Sequence, residues 1–185
     1  LYFPDIASEI TGMSNSIQLV DNVIYLNKGK QVIASSDVLK IPPTPDQNVV
    51  SYLTNYSISM WVYVNPHSPN TEAYNKETEI MSYGFMDSNG VQHVKPMIRY
   101  YGGGLNDQPI ERNKYVFYFS KYPPTNQYVS EKDTFYDVTI PNQKWNHIVM
   151  NYTNNNVDIF INGVLERSFS MVNTMPIYND LDTIT

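Results

Sequence analysis

The stretch KWNHIVMNYTNNNVDIFING, residues Lys144–Gly163, carries the pattern that decides the fold. Two runs rich in β-branched and aromatic residues flank three consecutive asparagines, and each run alternates its side chains as a strand does. The second run ends at Asn162-Gly163, a dipeptide favoured in type I′ hairpin turns because both central residues need positive φ. The run VLERSFSM follows directly. We therefore predict three consecutive antiparallel strands joined by short turns.

Similar short runs precede this stretch. The clearest is YSISMWVYV, Tyr56–Val64, and we predict further strands in SIQLVDNVIYL, EIMSYGF, PMIRYY and YVFYF. The segments IPPTPDQN, NPHSPNTEAYNKE, GGGLNDQP and SKYPPTNQ are predicted loops and DSNG a turn, because Pro, Gly, Asn and Asp interrupt strands. About ten short strands with regularly spaced turns indicate an all-β fold, an antiparallel two-sheet jelly-roll sandwich.

Strand alternation also separates a predicted core face from a second face. In Tyr56–Val64 the second face carries Ser57, Ser59, Trp61 and Tyr63, which suits a partly open surface. The side chains predicted to fill the core between the sheets are Ile58, Met60, Val62, Ile148, Met150, Ile159 and Ile161.

Composition excludes several classes of protein. The chain has 185 residues, enough for one domain with a substantial core. It has no cysteine, so a disulfide framework is impossible. The net charge is -6 and no Lys/Arg run is present, so we expect no nucleic-acid partner. No uncharged apolar run approaches the roughly 18 residues that a membrane-spanning helix needs.

The stretch from Lys144 and the strand YSISMWVYV together resemble laminin G-like domains of the concanavalin A-like lectin/glucanase superfamily. The shared features are a Trp-x-His start, an apolar strand, a hairpin and a strand ending in Asn-Gly. The similarity covers roughly residues 56–171. It implies a concanavalin A-like jelly roll, which hosts lectins, glycosidases, adhesion modules and structural parts alike.

We expect residues 1–15 to form an N-terminal extension and residues 16–185 to form the domain. In the family that the chain resembles, a short linker after the Asn-Gly hairpin leads to two further strands. Here MPIYNDLDTIT reaches only the start of the first. The sequence also begins without Met. We therefore expect a fragment, incomplete at its C-terminal end, with a membrane anchor outside it left open.

Catalytic residues are not predicted. His147 has no Ser or Cys motif nearby, so a buried histidine that hydrogen-bonds a neighbouring strand or loop is the better interpretation, and the family resemblance implies a structural role too. Glucanases of the superfamily carry Glu-x-Asp-x-x-Glu on one strand, whereas Glu131 and Asp133 are followed by Tyr136 at the third acidic position. Glu77 and Glu79 also lack a third acid. We expect no hydrolysis of β-glucans.

Metal and cofactor sites are not predicted either. His67, His93 and His147 are far apart in the sequence and have no ligand spacing. The glycines of GGGLNDQP lack the Lys-Ser/Thr of a phosphate-binding loop.

Glycan binding remains an alternative. It would use aromatic rings that stack on sugars together with amide or guanidinium donors, and the candidate residues are Trp61, Tyr63, Arg99 and Tyr101. The simpler interpretation places Trp61 in the core or under a loop.

The preferred function is a non-enzymatic binding or structural module of a larger surface or virion protein, such as a minor capsid component of a large DNA virus. Its partners would be neighbouring proteins of an assembly, with a glycan as the alternative ligand. A carbohydrate-binding lectin module and a glycoside hydrolase relative are the competing hypotheses. The expected location is the virion or the extracellular surface.

Overall fold

The structure is a computed structural model, and it describes residues 16–26, 29–41, 51–65, 77–86, 88, 92–103, 113–119, 135–153, 155–171, 178 and 180–185. Several sequence predictions concern residues that lie wholly or mostly outside these ranges. They are the N-terminal extension, the four loops, the DSNG turn and the Glu131–Asp133 motif. The side chains of His67 and His93 lie outside the described part as well. No helix in the described part is long and apolar enough to cross a membrane.

The described residues form short strands and one 3-10 turn, Ser36–Leu39. The strands are β1 Ala34–Ser35, β2 Lys40–Ile41, β3 Ser51–Tyr52, β4 Tyr56–Tyr63, β5 Glu77–Met86, β6 Gln92–Tyr101, β7 Lys114–Tyr118, β8 Phe135–Val138, β9 Trp145–Thr153, β10 Asn156–Ile161, β11 Val164–Ser170 and β12 Thr183–Ile184.

Two antiparallel sheets face each other across one core. The six-stranded sheet has the order β1-β12-β5-β6-β7-β8, and the four-stranded sheet has the order β11-β10-β9-β4. A small ribbon pairs β2 with β3. The predicted all-β antiparallel sandwich is confirmed. Strand β12 pairs with both β1 and β5, while the predicted continuation of the fold beyond Thr185 stays a prediction.

The predicted core residues of the four-stranded sheet face the six-stranded sheet. Val62, Ile148, Met150 and Ile159 are buried, while Ile58, Met60 and Ile161 are partly buried against them. Each buried side chain of this size contributes about 1.5–3 kcal/mol of apolar burial. The opposing sheet contributes Tyr83, Ile98, Tyr100, Tyr115 and Phe117 to the same core.

The opening stretch folds as predicted into β9 and β10, and the run VLERSFSM that follows it forms β11; the three strands pair in sequence order. Asn162 has φ 53° and Gly163 has φ 81°, the two positive values that a type I′ turn requires. The turn braces β9 as well: the backbone N–H of His147 donates to Asn162 Oδ1 at 2.9 Å. Asn162 Nδ2 donates to Oδ1 of the buried Asn146 at 3.1 Å.

The strand prediction for SIQLVDNVIYL is wrong. Residues 16–26 form no strand, and most of their apolar side chains are exposed, with Ile17 at 62% and Val23 at 61%. The alternation of this segment is real, but strand pairing needs a neighbouring edge, and none of the described strands pairs with it.

Candidate functional site

The four residues predicted to bind a ligand lie on two different sheets. Trp61 and Tyr63 belong to β4 in the four-stranded sheet, whereas Arg99 and Tyr101 belong to β6 in the six-stranded sheet. All four point away from the shared core, because the residues beside them along each strand are the ones that fill it. The structure therefore places the two pairs on opposite outer faces, and they do not form one surface.

Trp61 and Tyr63 are joined on their face by two residues of β9. Trp61 pairs across the strands with His147, and Tyr63 pairs with Trp145. The Trp61 and His147 rings stack at 4.8 Å between centroids with 22° between planes, and the Tyr63 and Trp145 rings lie 5.5 Å apart. We call Trp61, Tyr63, Trp145 and His147 the aromatic platform.

The aromatic platform is open to solvent. Trp61 is 63% exposed, Trp145 52% and Tyr63 41%. The interpretation of Trp61 as a core or loop-covered residue is therefore wrong. Large apolar patches on a protein surface mark sites of interaction, and tryptophan and tyrosine are the residues that contribute most to binding energy.

His147 holds the platform in place. It is half-buried rather than buried, which corrects that part of the prediction. Its Nε2 lies 2.8 Å from Ser59 Oγ on the neighbouring strand, which is the predicted hydrogen bond. This bond fixes the imidazole plane on which the Trp61 ring stacks. The arrangement is preorganised, so a ligand would lose little free energy to ordering these side chains.

The residues Trp145 and His147 were not predicted as parts of a binding surface. The signal was present, since both occupy the face of β9 opposite Ile148 and Met150. What the sequence lacked was the register between β4 and β9, which decides that Trp61 meets His147 and Tyr63 meets Trp145.

The other pair belongs to a cluster of charged and phenolic groups on the outer face of the six-stranded sheet. Arg99 Nη1 lies 2.7 Å from Glu77 Oε1, and its Nη2 lies 3.7 Å from Glu79 Oε2. Tyr101 donates to Glu77 Oε2 at 2.9 Å, and its hydroxyl is 2.7 Å from that of Tyr118. We call these five residues the Arg99 cluster.

The Arg99 cluster is mostly shielded from water. Arg99 is 9% exposed and Tyr101 is 2% exposed. Burial alone would raise the pKa of the Glu79 carboxyl. Hydrogen bonds from Lys30 and Ser82, together with the charges of Lys30 and Arg99, outweigh burial and lower that pKa. Glu79 is therefore held ionised, and both Glu77 and Glu79 are paired with cationic side chains, as in a structural network.

A metal centre has no support in the described part of the chain, where no group of three His, Asp or Glu side chains could hold an ion. Glu77 forms an ion pair with Arg99, and Glu79 forms one with Lys30. The aromatic platform, in contrast, presents exposed rings that can stack on a ligand and exclude water from it.

The fold and the platform define an antiparallel β-sandwich with an open aromatic face. A laminin G family model of the concanavalin A-like lectin/glucanases superfamily matches residues 34–184. The chain belongs to this family, and the resemblance drawn from the sequence is confirmed. No curated protein matches the chain significantly.

Solved structures give a weaker comparison. The chain is similar to domain 4 of AbnA, a GH43 extracellular arabinanase from Geobacillus stearothermophilus, determined in complex with arabinotriose. The sequences are 18% identical and the TM-score is 0.38. The match covers 71% of this chain and 50% of that chain, so the chain spans about half the length of this neighbour.

Proposed function

We propose that the domain is a non-enzymatic binding module and that its aromatic platform binds carbohydrate. The observation that carries the proposal is the joint exposure of Trp61, Tyr63 and Trp145 at one end of a rigid sheet face. The C–H faces of a sugar ring are apolar, so they stack on indole and phenol rings while the sugar hydroxyls stay hydrated.

The neighbours of the platform suit the same ligand. Ser59 and Asn162 both hydrogen-bond to His147 at its border, and neither carries a charge. An amphipathic aromatic surface with hydroxyl and amide groups beside it can contact both the apolar face and the hydroxyl groups of a sugar. A strand-borne site is also geometrically precise, which suits recognition of a ligand of defined shape.

The absence of enzymatic activity is part of the proposal, and the Arg99 cluster supports it. A glycosidase needs one carboxylic acid that stays protonated near neutral pH, so its pKa must be raised. The pKa of Glu79 is lowered instead, and Glu77 accepts from Arg99 and Tyr101. These two carboxylates are therefore poor candidates for a general acid.

The test uses the fluorescence of the protein itself. The chain contains two tryptophans, Trp61 and Trp145, and both belong to the platform. Titration with defined oligosaccharides should shift or quench the emission. Trp61→Ala should abolish binding, whereas Val32→Ala, which removes an equally exposed apolar side chain elsewhere, should leave it unchanged. Absence of binding across a broad glycan array would refute the proposal.

A neighbouring protein is the second candidate partner, and the exposed apolar side chains of residues 16–32 favour it. Ile17, Val23 and Val32 are each more than half exposed. This candidate would make the domain a structural module of a larger surface or virion assembly, the setting that we also propose for the glycan-binding function. Ile17→Ser with Val23→Ser should then reduce association with other chains, measured by sedimentation, without lowering the melting temperature.

A further inference from the structure

The outer face of the four-stranded sheet continues beyond the aromatic platform. Four residues from Trp61 along β4 and four residues from His147 along β9, a row of polar residues begins. It contains one residue from each of the four strands of the sheet. Ser57 pairs with Asn151, Asn151 with Asp158, and Asp158 with Ser168. We call these four residues the polar row. Since residues two apart along a strand share a face, the polar row and the platform lie on the same surface.

We infer that the polar row is a second contact site for the ligand and that the ligand is a neutral, linear oligosaccharide spanning both sites. This inference rests on the carbohydrate-binding function proposed above. It adds the length, the direction and the charge of the ligand.

The polar row has hydrogen-bonding capacity to spare. Ser57 Oγ donates to Asn151 Oδ1 at 2.5 Å, and Ser168 Oγ donates to Asp158 Oδ1. These two bonds use one oxygen of each side chain, and they leave Asn151 Nδ2 and Asp158 Oδ2 for other contacts. The row thus presents an amide donor and a carboxylate acceptor, fixed in orientation by their neighbours. Sugar hydroxyl groups both donate and accept, so they match this pair.

The surface between the two sites is apolar on β9 and β10, where it is formed by Val149 and Phe160. Ser59 pairs with Val149, and Val149 pairs with Phe160, so these residues form the row between platform and polar row. Val149 and Phe160 are half-exposed and stand on the face opposite the core. The distance from Trp61 to Ser57 along β4 is about 13 Å at the rise of a strand. A single sugar cannot reach both ends, whereas an extended chain can lie across the apolar row.

Charge selects a neutral ligand. The platform residues carry no carboxylate and no Lys or Arg side chain, and the polar row contains one carboxylate, Asp158. The chain as a whole has a net charge of -6. A sulfated or uronic-acid glycan would meet repulsion from Asp158, and neither the platform nor the polar row has a Lys or Arg side chain to compensate it.

The experiment measures affinity as a function of chain length. Cello-, manno- and xylo-oligosaccharides, from disaccharide to hexasaccharide, are titrated into the protein while tryptophan emission is followed. If the polar row adds one or two hydrogen bonds, the hexasaccharide of the recognised series should bind about tenfold more tightly than the disaccharide. Sulfated and uronic-acid chains should not bind.

Asn151→Ala isolates the second site. This variant should lose most of the length-dependent gain and keep the disaccharide affinity, and Ser57→Ala should show a smaller loss of the same kind. Gln31→Ala removes an exposed polar side chain away from this face and serves as the matched control. Thermal melts of each variant verify folding.

The outcomes separate this inference from the function on which it rests. Equal affinity for all chain lengths, or an equal loss for short and long chains in Asn151→Ala, would overturn the second site while leaving the platform function intact. Salt-sensitive binding of an anionic glycan would overturn the inference of a neutral ligand. No response to any carbohydrate would reject both proposals.

Discussion

Gly163 lies in the turn that joins β10 to β11, with a φ of 81° that L-residues with branched side chains rarely adopt. Apart from its chain neighbours, no heavy atom of the described structure lies within 4 Å of the position a Cβ would occupy, so we expect the effect of a substitution to come from the backbone. We expect Gly163→Val to lower the free energy of unfolding by about 1 kcal/mol or more. Chemical denaturation measures this value. Gly163→Asn is the control, because asparagine tolerates positive φ, and a valine variant as stable as the asparagine variant would contradict the explanation.

Single residues differed in how well their sequence pattern predicted them. Asn162-Gly163 and the core positions of β4 and β9 follow from turn chemistry and from alternation, which are local properties. The exposure of Trp61 does not, because alternation assigns two faces to a strand without saying which face another layer covers. Arg99 shows the opposite case: it is buried because β5 places two carboxylates beside it, and that register is a long-range property.

The stability of the β5–β6 pair depends on charge. Arg99 joins Glu77 and Glu79 across the two strands, and its side chain is 11% exposed. We expect Arg99→Met to destabilise the domain by about 3 kcal/mol, because the removal of one buried partner leaves the other charges uncompensated. Lys40→Met, which breaks a more exposed ion pair with Asp180, should destabilise the domain much less, because solvent screens that pair. Similar losses for both variants in urea denaturation would count against the distinction.

Glu79 on β5 should also make the stability of the domain depend on pH in the acidic range. The pKa of Glu79 lies below its ordinary value of 4.5 in the folded state, so the unfolded state binds more protons on acidification. The contribution of Glu79 to stability is therefore present above pH 4.5 and is lost as the pH falls through the lower folded pKa. Glu79→Gln should be less stable than the parent at neutral pH, and the difference should shrink below pH 4.5. A difference that stays constant down to acid unfolding would disprove this assignment.

The segment of residues 16–26 has the sequence pattern of a strand but forms none in the structure. Its apolar and β-branched residues have the propensity of a strand, yet strand propensity is mostly a preference for a pleated surface that neighbours cover. Leu19 packs against the core, but the residues around it stay exposed. The residue types of this segment thus favour a strand, but propensity alone cannot provide the neighbouring strand with which it would have to pair.

Tyrosine is unusually abundant in this protein, and the structure shows where several of these residues lie. The chain has sixteen, and Tyr83, Tyr115 and Tyr152 are fully buried in the shared core. In the described structure the hydroxyls of Tyr83 and Tyr152 have no hydrogen-bond partner. Burial raises the pKa of each of these three phenols above its ordinary value of 10. The abundance of tyrosine is therefore partly a property of the core.

Alkaline pH should unfold the domain cooperatively for this reason. Because the folded pKa of the buried phenols exceeds 10, the native state keeps protons that the unfolded state releases, so stability is full below pH 10 and falls as the pH rises above it. Ultraviolet titration should show exposed phenols ionising first and the buried ones ionising together with the loss of β-structure in circular dichroism. Sixteen phenols titrating as one group in a protein that stays folded would contradict the prediction.

Tyr152→Phe gives the matched comparison for the alkaline experiment. It removes a fully buried hydroxyl that has no partner in the described structure and leaves the ring that stacks on Tyr56 at 4.9 Å. Since an unpaired buried polar group is unfavourable, the variant should be at least as stable as the parent at neutral pH. Above pH 10 it should lose stability less steeply, because one ionisation linked to unfolding is gone. A variant less stable than the parent at neutral pH by more than about 1 kcal/mol would mean that the hydroxyl makes a stabilising bond after all.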